Sequence, residues 1–345
     1  MDSKACVYPD WLRKLVQGKP YKKTLVNPDL VNLFKLDHRV LVERESSSPI
    51  CFPSLAKTVA NMANKNLWER RNNQGVVIAK QERSAIERET RRNNDRLQIE
   101  CMVNSGDLLE TKFYLIDFQL LVKIEVLDQE PKFYPIEIGL IEWSMRHGIG
   151  NTLERLVNPG DIPLGYRSVA AEYSREYHRI PIDHNQYKLL GTSDYCALRR
   201  DIQQFVNPNK SSNTGYQALY CARKESQKVE GCLEWLYRAS GAVSSPLPVY
   251  SLEDLTLALY KHRGVVVLEQ GVVEMLHNSR YQYLKESRCT YHADIETMHC
   301  ALAVPRRHSY ALSNAMMSHY GFVVTDRHIP VVAPSNSVVL HGFGK

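Results

Sequence analysis

Two long apolar segments near the middle of the chain constrain its fold most strongly. Residues 112–126 (KFYLIDFQLLVKIEV) and 133–145 (FYPIEIGLIEWSM) are rich in Ile, Val, Tyr and Phe and are bounded by polar turns, which predicts strands. Helical patterns follow at 194–206 and 225–240, on either side of a short strand pattern at 216–222. A hairpin-like start followed by alternating helices and strands predicts a mixed α/β layer fold.

Two local signals support this interpretation. Asn158-Pro159-Gly160 predicts a turn. Ser251 with Asp254 has the spacing of a helix N-cap and predicts the start of a helix over LEDLTLALYKH. Residues 207–215 (NPNKSSNTG) are predicted to form a loop inside the domain, because apolar periodic segments flank them.

The charge distribution divides the chain in two. Residues 1–100 contain 19 Lys and Arg against 12 Asp and Glu, a net charge of +7, whereas the remaining residues carry −1. Since net charge indicates partners rather than fold, the basic excess points to nucleic acid. We therefore predict a basic helical region at 1–104 and an α/β domain at 105–345.

The basic region has the parts of an HMG-box-like module, a small all-α unit that binds the DNA minor groove. Helical patterns cover 28–45 and 54–68, with Trp68 at the end of the second, and a long basic pattern runs from 76 to 96. A solvated basic helical extension is the alternative. The arginines of the third segment are predicted to contact nucleic acid: Arg83, Arg88, Arg91, Arg92 and Arg96.

Nothing in the sequence predicts a membrane span or a secretory signal. The apolar runs are shorter than the roughly 18 to 20 residues that cross a bilayer, and the start, MDSKACVYPDWLRK, has no apolar signal core. An intracellular protein is therefore expected, without a membrane partner. Its eight cysteines are then expected to be reduced thiols or metal ligands rather than a disulfide framework.

One cysteine cluster is tight. Cys289 and His292 have Cys-x-x-His spacing, and Cys300 follows after seven residues. Two thiolates and an imidazole suit Zn²⁺. A fourth ligand is missing from this cluster, and three ligands alone would leave an open, reactive position.

Several separate motifs, in the same order, make residues 110–331 resemble the Maelstrom domain. They are FYPIEIGLIEWSMRHGI, LVNPGDIPLGYR, YHRIPI, SRCTYHADIETMHCALAV and HSYALSNAMMSHYGFVVTDRHIP. The resemblance implies an RNase H-like mixed sheet with flanking helices and a zinc site, preceded by the HMG-box-like module. It also implies that the zinc ligands are Glu137, Cys289, His292 and Cys300.

Glu137 strengthens this assignment. It lies between Ile136 and Ile138 in an apolar strand, where a carboxylate is costly to bury unless it is paired or binds a metal. Four protein ligands leave no position for water, so the predicted zinc is structural rather than catalytic. His299 is left out of the ligand set, because alternation in a strand would direct it away from Cys300.

The Maelstrom domain resembles the RNase H-like fold of exonucleases with four acidic residues, but the catalytic motif of those exonucleases is incomplete in this chain. Their first strand carries Asp-x-Glu, which helps to hold two metal ions. This chain has Asp117-Phe118-Gln119, and His178, Asp183 and Asp194 do not complete a set at matching spacing. We predict no catalytic residues for two-metal exonuclease chemistry, although the resemblance leaves open a weak endonuclease activity on single-stranded RNA.

The resemblance implies an RNA-binding factor of the Piwi-interacting RNA (piRNA) pathway that silences transposons in the germ line, during meiosis and gametogenesis. Its implied partners are single-stranded RNA and Piwi-class proteins, with DNA as a further partner of residues 1–104. Its implied location is the nucleus and the cytoplasm, including perinuclear germ granules. A single-stranded RNA nuclease and an HMG-type architectural DNA-binding protein are the alternatives. Further RNA contacts are predicted at Arg167, Arg306 and Arg307, which lie beside tyrosines.

Overall fold

The computed structural model describes residues 78–126, 129–208, 218–277, 279–282 and 284–330. The chain divides into two compact units, Met1–Arg88 and Glu89–Lys345. The helices predicted at 28–45 and 54–68 lie outside the described residues, and so does most of the HMG-box-like module. The second unit contains the sheet and the predicted metal ligands.

The sheet has five strands among the described residues. They are β1 (Phe113–Ile124), β2 (Lys132–Ser144), β3 (Gly148–Leu156), β4 (Leu219–Cys221) and β5 (Val249–Ser251). Their order across the sheet is β3-β2-β1-β4-β5. The first three strands pair antiparallel, whereas β4 is parallel to β1 and β5 is parallel to β4, so the sheet is mixed.

Along the chain, the α-helices of the described residues lie before, between and after these strands. They are α1 (Ile78–Ser105), α2 (Arg167–Tyr173), α3 (Gln186–Leu190), α4 (Tyr195–Val206), α5 (Ser226–Ala239), α6 (Leu252–His262), α7 (Glu269–Leu276) and α8 (Ala303–Tyr320). A short π-helix at Ser174–His178 follows α2 directly. Within the described part of the chain, no helix is both long and apolar enough to cross a membrane.

Helices cover both faces of the sheet because its central strands are buried on both sides. Almost every residue of β1 and β2 is buried, as expected for strands whose sequences are nearly continuous apolar runs. Side chains of α6 and α8 form one core with the sheet, and those of α4 and α5 form a second. The indole of buried Trp143 donates to the Ser313 hydroxyl at 3.0 Å, which satisfies its N–H.

Most of the predicted elements are confirmed. The segments 112–126 and 133–145 form β1 and β2, and the helical patterns at 194–206 and 225–240 form α4 and α5. Helix α6 starts as predicted, since the Ser251 hydroxyl accepts the Asp254 N–H at 3.2 Å. The strand predicted at 216–222 is observed over Leu219–Cys221 only.

The compact unit begins before the predicted boundary at 104/105. Helix α1 continues through that boundary to Ser105, and Ile99 and Val103 on its last turns pack in the core with Phe113. These apolar contacts attach the last turns of α1 to the second unit, which starts at Glu89. The predicted basic segment thus ends in a helix whose second half belongs to the α/β domain.

Candidate metal centre and the neighbouring cleft

The four predicted ligands form one buried group. The ligand atoms of Glu137, Cys289, His292 and Cys300 all lie within 4.8 Å of one another. The Cys289 Sγ is 3.1 Å from His292 Nδ1, which is 3.2 Å from the Glu137 carboxylate, and Cys300 Sγ is 3.6 Å from that carboxylate. Tetrahedral ligands of zinc at its usual bond lengths are about 3.3–3.8 Å apart. The group therefore has the donors and the spacing to hold one metal ion.

The backbone brings these ligands together from distant parts of the chain. Glu137 comes from β2, and its second carboxylate oxygen accepts the Ala301 N–H at 2.9 Å. The Cys289 N–H donates to Cys300 Sγ at 3.2 Å, and the His292 N–H donates to Cys289 Sγ at 3.4 Å. These bonds orient Glu137, Cys289 and Cys300, so that the segment 289–300 folds around the four-residue group.

His292 is held in the tautomer that a metal needs. Its Nε2 is 2.6 Å from the carbonyl oxygen of His178, which can only accept a hydrogen bond, so Nε2 carries the proton. The lone pair of Nδ1 is then directed toward Cys289 and Glu137. His178 is itself buried, and burial lowers its pKa to about 3, so its ring is neutral.

The charges of this group show which proton a metal ion would displace. Burial raises the pKa of Glu137 to about 7. The hydrogen bond from Cys289 lowers the pKa of Cys300 to about 4, although burial opposes this. Burial lowers the pKa of His292, but hydrogen bonds to Cys300 and Glu137 outweigh it and raise the pKa to about 10. The thiolate and the carboxylate call for a cation in an apolar interior, and a proton on His292 Nδ1 or a bound metal ion can supply it. A metal ion would displace that proton and bind the Nδ1 lone pair.

Gly139 makes the close approach between β2 and the ligand segment possible. A Cβ atom at this position would overlap the backbone of Ala301 and Leu302. Only glycine allows that segment to lie flat against the strand, two residues from Glu137. The Maelstrom resemblance identified the ligands in the sequence, but no sequence signal identified the role of this glycine.

We expect Gly139→Ala to lower the free energy of unfolding by about 2–3 kcal/mol, because backbone at 301–302 must move away from the sheet. Thermal unfolding of the full chain measures this loss. Gly271→Ala is the matched control: its nearest neighbour is a Val267 methyl at 3.8 Å, and it lies in α7. It should stabilise by about 0.5–1 kcal/mol, since alanine is the better helix former. Equal melting temperatures for both variants would contradict the close-packing argument.

Two residues that are predicted to contact RNA also support the ligand segment. Arg306 donates to the carbonyl oxygens of Glu286, Ser287 and Arg288, the last at 2.9 Å. Arg307 donates to the carbonyl oxygens of Gln282 and Met298, at 3.1 and 2.7 Å. Both guanidinium groups thereby attach the residues around Cys289 and Cys300 to α8. Arg167, the third of these predicted RNA contacts, is exposed at the start of α2.

The basic segment of α1 also makes contacts within the domain. Arg91 pairs with Glu230 at 2.6 Å, and Arg96 pairs with buried Asp254 at 2.6 Å. Arg92 pairs with Glu269 at 2.9 Å. Carboxylates of the same unit thus pair with these three arginines, and their contact with nucleic acid stays a prediction. Arg83 and Arg88 lie on earlier turns of the same helix, and their contact with nucleic acid stays a prediction.

A cleft lies beside the metal group on β1. Asp117 and Gln119 are both buried there, and Gln119 pairs directly with Glu137 across the strands. The Lys228 ammonium is 2.6 Å from the Asp117 carboxylate and 3.0 Å from that of Glu225. Burial raises the pKa of Asp117, and the Lys228 charge opposes this rise. An ammonium therefore sits between two carboxylates at the first motif of the exonuclease pattern.

The other residues considered for the exonuclease motif do not lie beside Asp117. Asp194 caps α4, where its carboxylate accepts the Ala197 N–H at 2.8 Å, and Asp183 is exposed in a short 3₁₀ turn. His178 lies against the metal group. His299 lies outside the four-residue group, with its ring 5.0 Å from that of Tyr177. His299 is not in a strand, so the strand alternation by which the sequence analysis left it out of the ligand set does not apply. The path of the loop determines where its side chain lies.

Comparison with known proteins gives matches to one family. Residues 129–335 match the family model described as Maelstrom, piRNA pathway germ-plasm component. The chain is 28% identical to the protein maelstrom homolog of Sus scrofa over 212 residues, which are 61% of this chain and 47% of that protein. It is 24% identical to protein maelstrom of Drosophila melanogaster over 301 residues, 82% of this chain and 63% of that protein. The chain thus spans about half the length of its vertebrate relatives.

Among solved structures, a full-length 3'-exonuclease matches with a TM-score of 0.39 and 15% identity, over 63% of this chain and 64% of that one. A TM-score at this level assigns neither the fold nor an activity.

The structure and the ligand set define an α/β domain with a mixed five-stranded sheet and a buried group that could hold a metal ion. The family model covers well over half of the chain. The chain belongs to the Maelstrom family.

Proposed function

We propose that this chain is an RNA-binding factor of the piRNA pathway, required for silencing transposons in the germ line. The observation that carries the proposal is the match of residues 129–335 to a family described as a piRNA pathway germ-plasm component. Its partners are then single-stranded RNA and Piwi-class proteins. Its place is the nucleus and the cytoplasm, including perinuclear germ granules, during meiosis and gametogenesis.

The proposal includes an RNase H-like domain that has lost two-metal catalysis. The strand order supports the fold assignment, because three antiparallel strands are followed by two strands parallel to β1 at the opposite edge. The loss of catalysis is supported by Gln119 in place of an acidic ligand and by the pairing of Asp117 with Lys228. An ammonium at that carboxylate repels a divalent cation, so the two-ion arrangement is not available.

The proposal also includes a structural zinc ion at Glu137, Cys289, His292 and Cys300. Two thiolates, an imidazole and a carboxylate form a donor set that suits Zn²⁺ better than the oxygen-preferring Mg²⁺ or Ca²⁺. With all four donors supplied by buried side chains, the ion would join β2 to the segment before α8. Its contribution would be folding free energy rather than hydrolysis.

The full chain tests this function against its two rivals. We expect it to bind single-stranded RNA more tightly than duplex RNA or duplex DNA, and to cleave none of them in Mg²⁺ or Mn²⁺. Metal-dependent turnover that Asp117→Asn abolishes would establish the nuclease alternative instead. A preference for duplex DNA with a steep salt dependence would favour the HMG-type alternative.

A further inference from the structure

The cleft that contains Asp117 opens into a cavity of about 450 Å³. This volume is within the range of small-ligand sites. Residues from β1, from the turn and helix that follow β4, from the π-helix region and from the segment 298–308 line it. Lys228 lies between the carboxylates of Asp117 and Glu225 and offsets one of their two negative charges. With Lys224 and Arg307, the cavity lining carries three cationic groups against two carboxylates, which disfavours a free cation.

The remaining charges of the cavity are positive. Lys224 lines it with an exposed side chain, and within the described ranges no carboxylate lies at ion-pair distance from its ammonium. Arg307 also lines it, and its bonds to the carbonyls of Gln282 and Met298 use two of the five N–H donors of a guanidinium. Two cationic groups with spare donors are suited to an anion such as a phosphate.

Aromatic rings lie beside these cations. Tyr177 is 43% exposed, and its ring is 5.5 Å from the ring of Tyr173 and 5.0 Å from that of His299. All three residues line the cavity. An exposed tyrosine that neighbouring rings hold in place can stack on an unpaired base, and this arrangement beside cations is typical of sites for single strands.

We infer that this cavity is where the chain holds single-stranded RNA, with a backbone phosphate on Lys224 and Arg307 and an unpaired base stacked on Tyr177. The inference rests on the proposed RNA-binding function and assigns the site for it. The cleft around Asp117 would then bind the strand without cutting it.

The test uses the full chain, a fluorescent oligouridine RNA and an excess of unlabelled duplex DNA that occupies any duplex-binding surface. Anisotropy across a range of salt concentrations gives the affinity and its salt slope. Lys224→Ala should reduce the slope by about 0.7, the value for one lost phosphate contact on a single strand. Lys132→Ala is the matched control, because Lys132 is exposed on β2 and outside the cavity lining, and it should leave the slope unchanged.

Tyr177→Ala should weaken oligouridine binding roughly tenfold, the effect of one lost base stack. Tyr177→Phe keeps the ring and should bind like the wild type. Melting temperatures verify that each variant is folded, which is expected because both positions are exposed.

The outcomes separate the site from the function. If Lys224→Ala and Tyr177→Ala both bind oligouridine as tightly as the wild type, the cavity is not the RNA site, although the chain still binds RNA. A wild type that does not bind oligouridine would overturn the function, and the site with it. A third outcome is that Lys224→Ala weakens the binding of inorganic phosphate but leaves the affinity for oligouridine unchanged. The cavity would then be a site for free anions, and the assignment to RNA would be overturned.

Discussion

Cys300→Ala is expected to abolish metal binding and to leave most of the α/β domain unfolded at room temperature. If zinc is the ion, its binding contributes on the order of 10 kcal/mol as folding free energy, comparable with the total stability of a domain, roughly 5–15 kcal/mol. Removing one thiolate also leaves the other three buried ligands without a complete donor set. Metal analysis of the purified full chain should give one zinc per chain for the wild type and none for the variant, and circular dichroism should show the loss of structure.

Cys232→Ala provides the matched control. Cys232 is as fully buried as Cys300, but it packs in the core with Leu233 and Leu236 on α5 and lies outside the ligand group. Its truncation should cost only about 1–2 kcal/mol and keep the metal. A metal-free wild type, or a Cys300→Ala variant that melts like Cys232→Ala, would overturn the structural-zinc proposal.

Lys228→Met is expected to destabilise the fold by about 3–5 kcal/mol, because it leaves the buried carboxylate of Asp117 without its counter-ion. Chemical denaturation at neutral pH measures this loss. The double variant Asp117→Asn with Lys228→Met removes both charges and should be more stable than Lys228→Met alone. A double variant that is no more stable than Lys228→Met would show that Lys228 does not act through the charge of Asp117.

The same variant should depend on pH in a predictable direction. Burial raises the pKa of Asp117, and without Lys228 the weaker hydrogen bond from the Phe118 backbone is left to oppose that rise. A carboxyl whose folded pKa exceeds its unfolded pKa loses stability as the pH rises through the interval between the two values. The deficit of Lys228→Met relative to the wild type should therefore shrink as the pH falls toward the ordinary carboxyl range. A deficit that is constant with pH would contradict the ionised state of Asp117.

The sequence could reveal the metal ligands because they leave local signals. Cys289, His292 and Cys300 have ligand spacing, and Glu137 is conspicuous between two isoleucines. Lys228 left no such signal, since nothing near it in the sequence indicates that it pairs with a residue more than a hundred positions earlier. Partners of this kind are determined by tertiary packing alone.

The ion-pair partners of the α1 arginines could not be predicted from the sequence for the same reason. The arginines of α1 resemble a solvated nucleic-acid face in the sequence, but the acids that pair with them come from α5, α6 and α7. Strand β3 was also missed. Its sequence, GIGNTLERL, lacks a continuous apolar run, because it is an edge strand with several exposed side chains.

The segment 298–308 has two faces with different neighbours. Cys300 belongs to the metal group, while His299 and Arg307 form part of the cavity wall. If both sites are occupied as proposed, their binding equilibria are thermodynamically linked through this segment, and the effect on affinity is reciprocal. Bound RNA would slow the loss of the ion to a chelator, and a cell short of the ion would hold a chain with weakened affinity for RNA.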